Sequence, residues 1–419
     1  MKIRIKIQRR FPLENIMMTM ALFFVASFAL LEHVSISIPL FSVLKSPIVY
    51  MGGICILPYI FKIMSNLRKK KFFFVFMMTL LMFAFLGLSA YFNRNTVFGY
   101  TPKRITVRFI LFWAELFLLM VWVAETGRGD FVIRFLFWYV LILVVATDFL
   151  LLTKLVVFRD GRYVTYLVGN KFSVSYLHMD LLALWFVKNK GTFHFWQKSK
   201  TLAIFLACFI VIISIYIDCI TGLLGCVVLV WLFASMNAPV RKKLFKLNSP
   251  GLLALLLVAS VIFPFVAQSV VAIPAVNTFL TEVLGRSSTL TGRINIFDIF
   301  VRRMEENWLW GYGFGNSSYI AQAIFGYANA QNAILDWIMQ AGILATGGLL
   351  GLILMIFRQL SKASETAEIM PLVALIYVYV IMGAVETTFS MTFLLWIAVL
   401  FMRINETKQT ADDEEDEEE

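Results

Sequence analysis

Residues 291–336 read TGRINIFDIFVRRMEENWLWGYGFGNSSYIAQAIFGYANAQNAILD. No other long stretch of the chain mixes arginines, carboxylates, glycines and side-chain amides in this way. Asn295, Asp298, Arg302 and Glu305 recur at spacings of three and four, while Phe297, Phe300, Val301, Met304 and Trp308 fall on another face. That spacing predicts an amphipathic helix. Such a helix either lies in a membrane interface with its aromatics at headgroup level or acts as a lid sealing the structure beneath it. Gly311, Gly313 and Gly315 alternate just after it. Glycines at that spacing form a tight turn, or bring backbone N–H groups close to an anion. Asn332, Asp336 and Gln340 then make a polar stripe on the next helix, which needs a cavity or a partner helix.

Outward from this stretch the chain becomes apolar. Of its 419 residues, 60% are hydrophobic. A water-soluble protein of this length cannot hide that much apolar surface, so the solvent is a bilayer. One crossing takes about 20 apolar residues. About twelve apolar runs qualify, the first at 16–31 and the last at 391–402. Several are short, and the pair flanking Asp218 and Cys219 reads either as two helices or as one broken helix. The expected fold is therefore all-α: a polytopic membrane domain over 1–405, one large extracytoplasmic loop at 272–332 carrying the interfacial helix, and a disordered acidic cytoplasmic tail at 406–419. No internal repeat or soluble domain stands out.

The net charge of +11 would suit nucleic acid in a soluble protein. Here the positive residues sit in short gaps between apolar runs, and topology accounts for most of them, so no nucleic-acid partner is expected. With the N-terminus in the cytoplasm, the inside gaps hold Arg9, Arg10, Arg68 to Lys71, Arg128, Arg241 to Lys243 and Arg358. Both termini then face the cytoplasm. Some outside gaps are also basic, with Arg94, Lys103 and Arg104 in one and Lys154, Arg159, Arg162 and Lys171 in another. These cations either contact headgroups or line a vestibule for a phosphorylated lipid. The four cysteines show no CxxC spacing, so neither a disulfide framework nor a metal site is expected.

Ionisable groups inside apolar runs require partners or a wet cavity. Arg108 and Glu115 are seven residues apart, on one helix face, and read as a buried pair. His178 and Asp180 point in different directions, with His178 a hydrogen-bonder of the bundle interior. Asp148, Asp218 and Glu386 lie near span ends, and Glu386 falls on the side of the main loop.

The order TGR, amphipathic helix, WLWGYGFGN and AQNAILDWIMQAGILA resembles the bacterial O-antigen polymerase and ligase superfamily. GNKF at residues 169–172 and the glutamate of VETTF resemble its capsular and exopolysaccharide polymerase branch. Two positions depart from the pattern: Trp308 replaces a usual proline, and Gln331 replaces a usual histidine. Gln331 cannot serve as a base at neutral pH. The resemblance implies a metal- and cofactor-independent glycosyltransferase. It would move a growing glycan from an undecaprenyl-diphosphate donor to a lipid-linked repeat-unit acceptor at the outer face of the cytoplasmic membrane. A flippase and a chain-length regulator are implied partners. Arg293 would clamp the diphosphate, helped by Arg302 or Arg303 and by Arg162. Gly311, Gly313 and Gly315 would line the site, Gln331 and Asn332 would hold the acceptor, and Glu386 or Asp336 would take its hydroxyl proton. The alternatives are a ligase, or a lipid-linked oligosaccharide flippase.

Overall fold

The computed structural model describes residues 13–406, except 32–38, 96–101, 156–157, 161–162, 190–197, 238–245, 284–292, 316, 327–328 and 364–367. Long apolar helices dominate: α1 (Leu13–Leu30), α2 (Pro39–Ile56), the short α3 (Ile60–Asn66), α4 (Lys70–Phe92), α5 (Pro102–Glu125) and α6 (Gly129–Thr153). A two-stranded antiparallel hairpin follows, β1 (Phe158–Asp160) with β2 (Tyr163–Thr165). Then come α7 (Lys171–Lys188), α8 (Lys198–Tyr216), α9 (Ile220–Asn237), α10 (Pro250–Val271) and the single turn α11 (Pro274–Thr278). The amphipathic α12 (Arg293–Met304), α13 (Ser317–Phe325), α14 (Ala333–Leu360), α15 (Met370–Met382) and α16 (Met391–Asn405) complete the order.

Among the described residues seven helices are long and apolar enough to cross a membrane, including α1, α4, α6 and α14. Four more apolar segments are shorter: Ile204–Tyr216, Ile220–Ala234, Met370–Met382 and Met391–Asn405. The outer surface agrees with a lipid solvent. Phe61, Ile142, Phe149, Phe205 and Leu255 all point outward, a pattern water would penalise. The core sits around α15, which is buried along 371–380, and α16, buried along 393–402. α14 packs most extensively along α4, α1 along α2, and α6 along α7.

Ion pairs gather helix ends at one end of the bundle. Glu125 at the end of α5 pairs with Lys69 and, at 2.6 Å, with Lys71. Arg403 at the end of α16 lies 2.6 Å from Glu406 and 2.9 Å from Asp130 at the start of α6. Gln359, near the end of α14, donates to the Lys71 carbonyl (2.7 Å) and accepts from Asn405 (3.0 Å). The starts of α14 and α16 therefore lie at the opposite end, with the close of α4.

The fold is all-α as expected, with one short hairpin, β1–β2, added to it. Three other expectations are revised. Among the described residues of 272–332 stand α11, a π-helical turn at Phe279–Val283, α12 and α13, more helix than the one interfacial helix expected of the loop. Glu406 is anchored, accepting from the Gly129 amide at 2.7 Å, so the tail begins one residue later; 407–419 lie outside the described residues. Glu115 bonds the Gly53 backbone and does not pair with Arg108. Glycines at 52 and 53 leave room for that carboxylate, whose oxygens approach within 2.7 and 2.8 Å of where their Cβ atoms would stand.

Candidate functional site

The main polar stretch is built on a broken helix. Inside α14, Gly342 takes a non-helical backbone (φ 78, ψ 173). A break frees backbone groups, and in an apolar setting each must find another partner. The glycine turn supplies them. Tyr312 and Gly313 donate to the Met339 and Gln340 carbonyls at 2.8 and 2.9 Å, and Ile343 donates to the Trp308 carbonyl at 2.9 Å. Gly315 donates to the Gln340 side-chain oxygen at 2.8 Å. The two backbones touch. A Cβ on Gly311 would lie 2.6 Å from the Gly342 nitrogen, and one on Gly342 would overlap the Leu309 carbonyl. Gly311, Gly313 and Gly315 all have positive φ. The glycines thus admit a neighbouring helix and not an anion, because the amides of Gly311, Tyr312, Gly313 and Gly315 are spent within the protein.

Asn332 is spent in the same way. It is fully buried and caps α14, its oxygen accepting from the Ile334 and Leu335 amides. Its amide nitrogen donates to the Ser260 and Ala384 carbonyls at 2.8 and 3.1 Å. Every bond it can make ties α14 to α10 and to the 383–390 turn, so it has no capacity left for an acceptor sugar. Asp336 is buried and accepts from Gln340 at 2.6 Å. Gln331 has a left-handed backbone (φ 51), held by Asn329, whose side-chain oxygen accepts its amide at 2.9 Å.

α12 behaves otherwise. Phe297, Phe300 and Met304 are buried against Ile320, Ala321, Leu335 and Met339, so this part of its apolar face seals protein and does not sit among headgroups. Val301 and Trp308 remain exposed. Arg302 and Arg303 are exposed and carry no ion pair among the described residues. Arg293 is the first residue of α12 and the other two lie in its last turn. At 1.5 Å per residue the helix places their backbones about 14 Å apart along its axis. Arg162 lies outside the described residues.

A second polar cluster joins residues that are scattered in the sequence. Lys171, at the start of α7, donates to the Asp218 carbonyl at 2.7 Å and lies 3.7 Å from its carboxylate. Asp218 takes a left-handed backbone (φ 52) in the bend between α8 and α9. Its neighbour Cys219 is buried, which pushes the thiol up; bonds from Ser175 and the Gly222 amide and the charge of Lys171 pull it back, and Glu386 opposes them. Burial likewise pushes the Tyr166 hydroxyl up, with Cys219, Tyr216 and Asp218 adding to it. Glu386 is itself buried, in the 383–390 turn that Asn332 clasps. Lys171 of GNKF contacts the bend directly, and the charge of Glu386 of VETTF, far away in sequence, is felt at its Cys219. From sequence Lys171 read as one of the outside cations and as part of GNKF; its contact with Asp218 was not legible there.

Comparison of the chain with protein-family models, with curated proteins and with solved structures finds no match.

Proposed function

We propose that this chain is a membrane-embedded polysaccharide polymerase, with twelve crossings, both termini in the cytoplasm and the α12 side facing outward. The observation that supports the reading is the Lys171–Asp218 pair in the bend beside the buried Cys219, whose thiol also feels the charge of Glu386. It joins the two short stretches that resemble the capsular polymerase branch. Glu386 is the base. It takes the proton of the acceptor hydroxyl as that oxygen bonds to the anomeric carbon of the donor, and the bond from that carbon to the diphosphate oxygen breaks. Undecaprenyl diphosphate leaves with the developing charge, which preorganised cations stabilise. Arg293 is the first cation, at the N-terminal turn of α12, where backbone N–H groups also favour an anion. Lys171 adds a cation at the Asp218–Cys219 bend. Asp336, held by Gln340, stands behind Glu386 as a base.

The test is extension of a lipid-linked repeat by purified protein. Arg293→Ala removes a contact made to the leaving diphosphate and lowers the initial rate about 30- to 1000-fold, or about 2–4 kcal/mol. Arg293→Lys restores only part, because charge without the planar fork loses the bidentate grip. Near wild-type extension by Arg293→Ala removes this residue from the site.

The break at Gly342 favours one other reading, a flippase for lipid-linked oligosaccharide, since transporters build sites on interrupted helices. In vesicles a flippase moves the repeat between leaflets without lengthening it.

A further inference from the structure

α6, α7 and α8 enclose a groove of about 400 Å³, within the range of small-ligand sites. Its walls are hydrocarbon, and its outer rim is Val145, Phe149 and Phe205, 59%, 58% and 61% exposed. These rim residues lie on apolar helices, so the groove opens toward lipid and not water. Only two polar side chains line it, Asp148 and His178. Their bonding leaves one acceptor without a donor among the described residues. His178 Nδ1 contacts the Val174 carbonyl at 2.7 Å, and a carbonyl only accepts, so Nδ1 carries a proton. His178 Nε2 and Asp148 Oδ2 are 3.1 Å apart and share one proton, on either atom. In both forms the pair is neutral overall, and Asp148 Oδ1 is an acceptor. That oxygen is buried and has no hydrogen-bond partner among the described residues. Buried polar atoms are rarely left unpaired, so a donor belongs there.

We propose that this groove binds a neutral glycerolipid with a free hydroxyl, a diacylglycerol, with one acyl chain along the hydrocarbon walls and its hydroxyl donating to Asp148 Oδ1. Asp148 lies five residues before the end of α6, about 7.5 Å in depth, which suits the glycerol level of a bilayer. A phosphate headgroup does not fit, because Oδ1 offers it no donor and the groove holds no cation beyond the neutralised histidine.

The test uses the full-length protein in nanodiscs with three probes carrying the same chain diazirine: a diacylglycerol, its 3-O-methyl ether and a phosphatidylglycerol. The expected result is labelling of α6 and α8 peptides at least fivefold stronger with the alcohol than with the other two. Asp148→Leu removes the acceptor and abolishes that preference. Val145→Trp, at an exposed rim position, blocks the groove while keeping the Asp148–His178 pair, and lowers alcohol labelling to the ether's level. Equal labelling by alcohol and ether, stronger labelling by phosphatidylglycerol, or an unchanged preference in Val145→Trp with folded protein overturns the proposal.

Discussion

The glycine turn at 311–315 and the arginine helix α12 are neighbours in sequence and opposites in chemistry. In the turn, amide after amide is consumed by the broken backbone of α14. On α12 the apolar face is consumed by packing, while Arg302 and Arg303 point outward without partners among the described residues. Polar residues in an apolar protein thus divide into two kinds. Some repair the backbone, and their loss damages the fold. Others are left over, and their loss damages only what the protein binds. The contrast can be broken by mutants that separate stability from activity.

The largest effect belongs to Gly342→Ala. Its φ of 78 disfavours any side chain, and the added Cβ would overlap the Leu309 carbonyl. Strain and overlap together destabilise by about 4 kcal/mol or more, enough to abolish a monodisperse peak in detergent size-exclusion chromatography. Gly347→Ala is the control on the same helix, where a Cβ meets nothing within 4 Å. It is neutral, or stabilises by up to about 1 kcal/mol through helix propensity. Equal behaviour of the two variants would show that the turn does not hold the break together.

Asn332→Ala comes next. It strips the cap from α14 and leaves the Ser260 and Ala384 carbonyls without their donor. The expected loss is about 2–4 kcal/mol, read as a fall in melting temperature. Asn332→Ser keeps a capping oxygen but not the donors, and recovers about 1 kcal/mol. An unchanged melting temperature with lost activity would instead make Asn332 a substrate contact, as its place in the polar stripe suggested.

Much of the fold was legible because apolar runs of 15 to 25 residues leave few alternatives. Most of the long helices match an apolar run with ends that differ by a few residues, whereas α2 starts at Pro39, nine residues before the run expected there. The break at Gly342 was not legible. One glycine in QAGILATGG reads as a tolerated residue within a helix, and only the contact with Gly311 fixes its backbone. The hairpin had a signal, an Asp-Gly pair at 160–161 flanked by Phe158, Tyr163 and Val164, of the kind that makes tight turns. Of the candidate site, Glu386 was placed by its neighbours and its side of the bundle. The role of Asn332 was misjudged because an amide reads the same in sequence whether it caps a helix or holds a sugar. Spacing located the polar stripe, but only three-dimensional partners tell which of its groups are already occupied.

The smallest effect concerns Arg302 and Arg303, and it tests the other half of the contrast. Both are exposed, so replacing either by alanine should leave the melting temperature almost unchanged, within about 0.5 kcal/mol of stability. On the proposed function Arg293 grips the diphosphate, and α12 places the backbones of Arg302 and Arg303 about 14 Å further along its axis. At that distance an exposed charge acts on a bound phosphate through water, beyond a screening length of about 8–10 Å at ordinary salt. Its contribution to the extension rate is therefore under about 1 kcal/mol, or about fivefold. It should fade between low and high salt, whereas the deficit of Arg293→Ala should persist, since a desolvated contact is screened much less. Extension rates for the three single variants, at two salt concentrations and matched protein levels, give the comparison. A loss in Arg302→Ala as deep and as salt-resistant as that in Arg293→Ala would place the diphosphate at the C-terminal end of α12 and reverse the direction in which the donor lies across the helix.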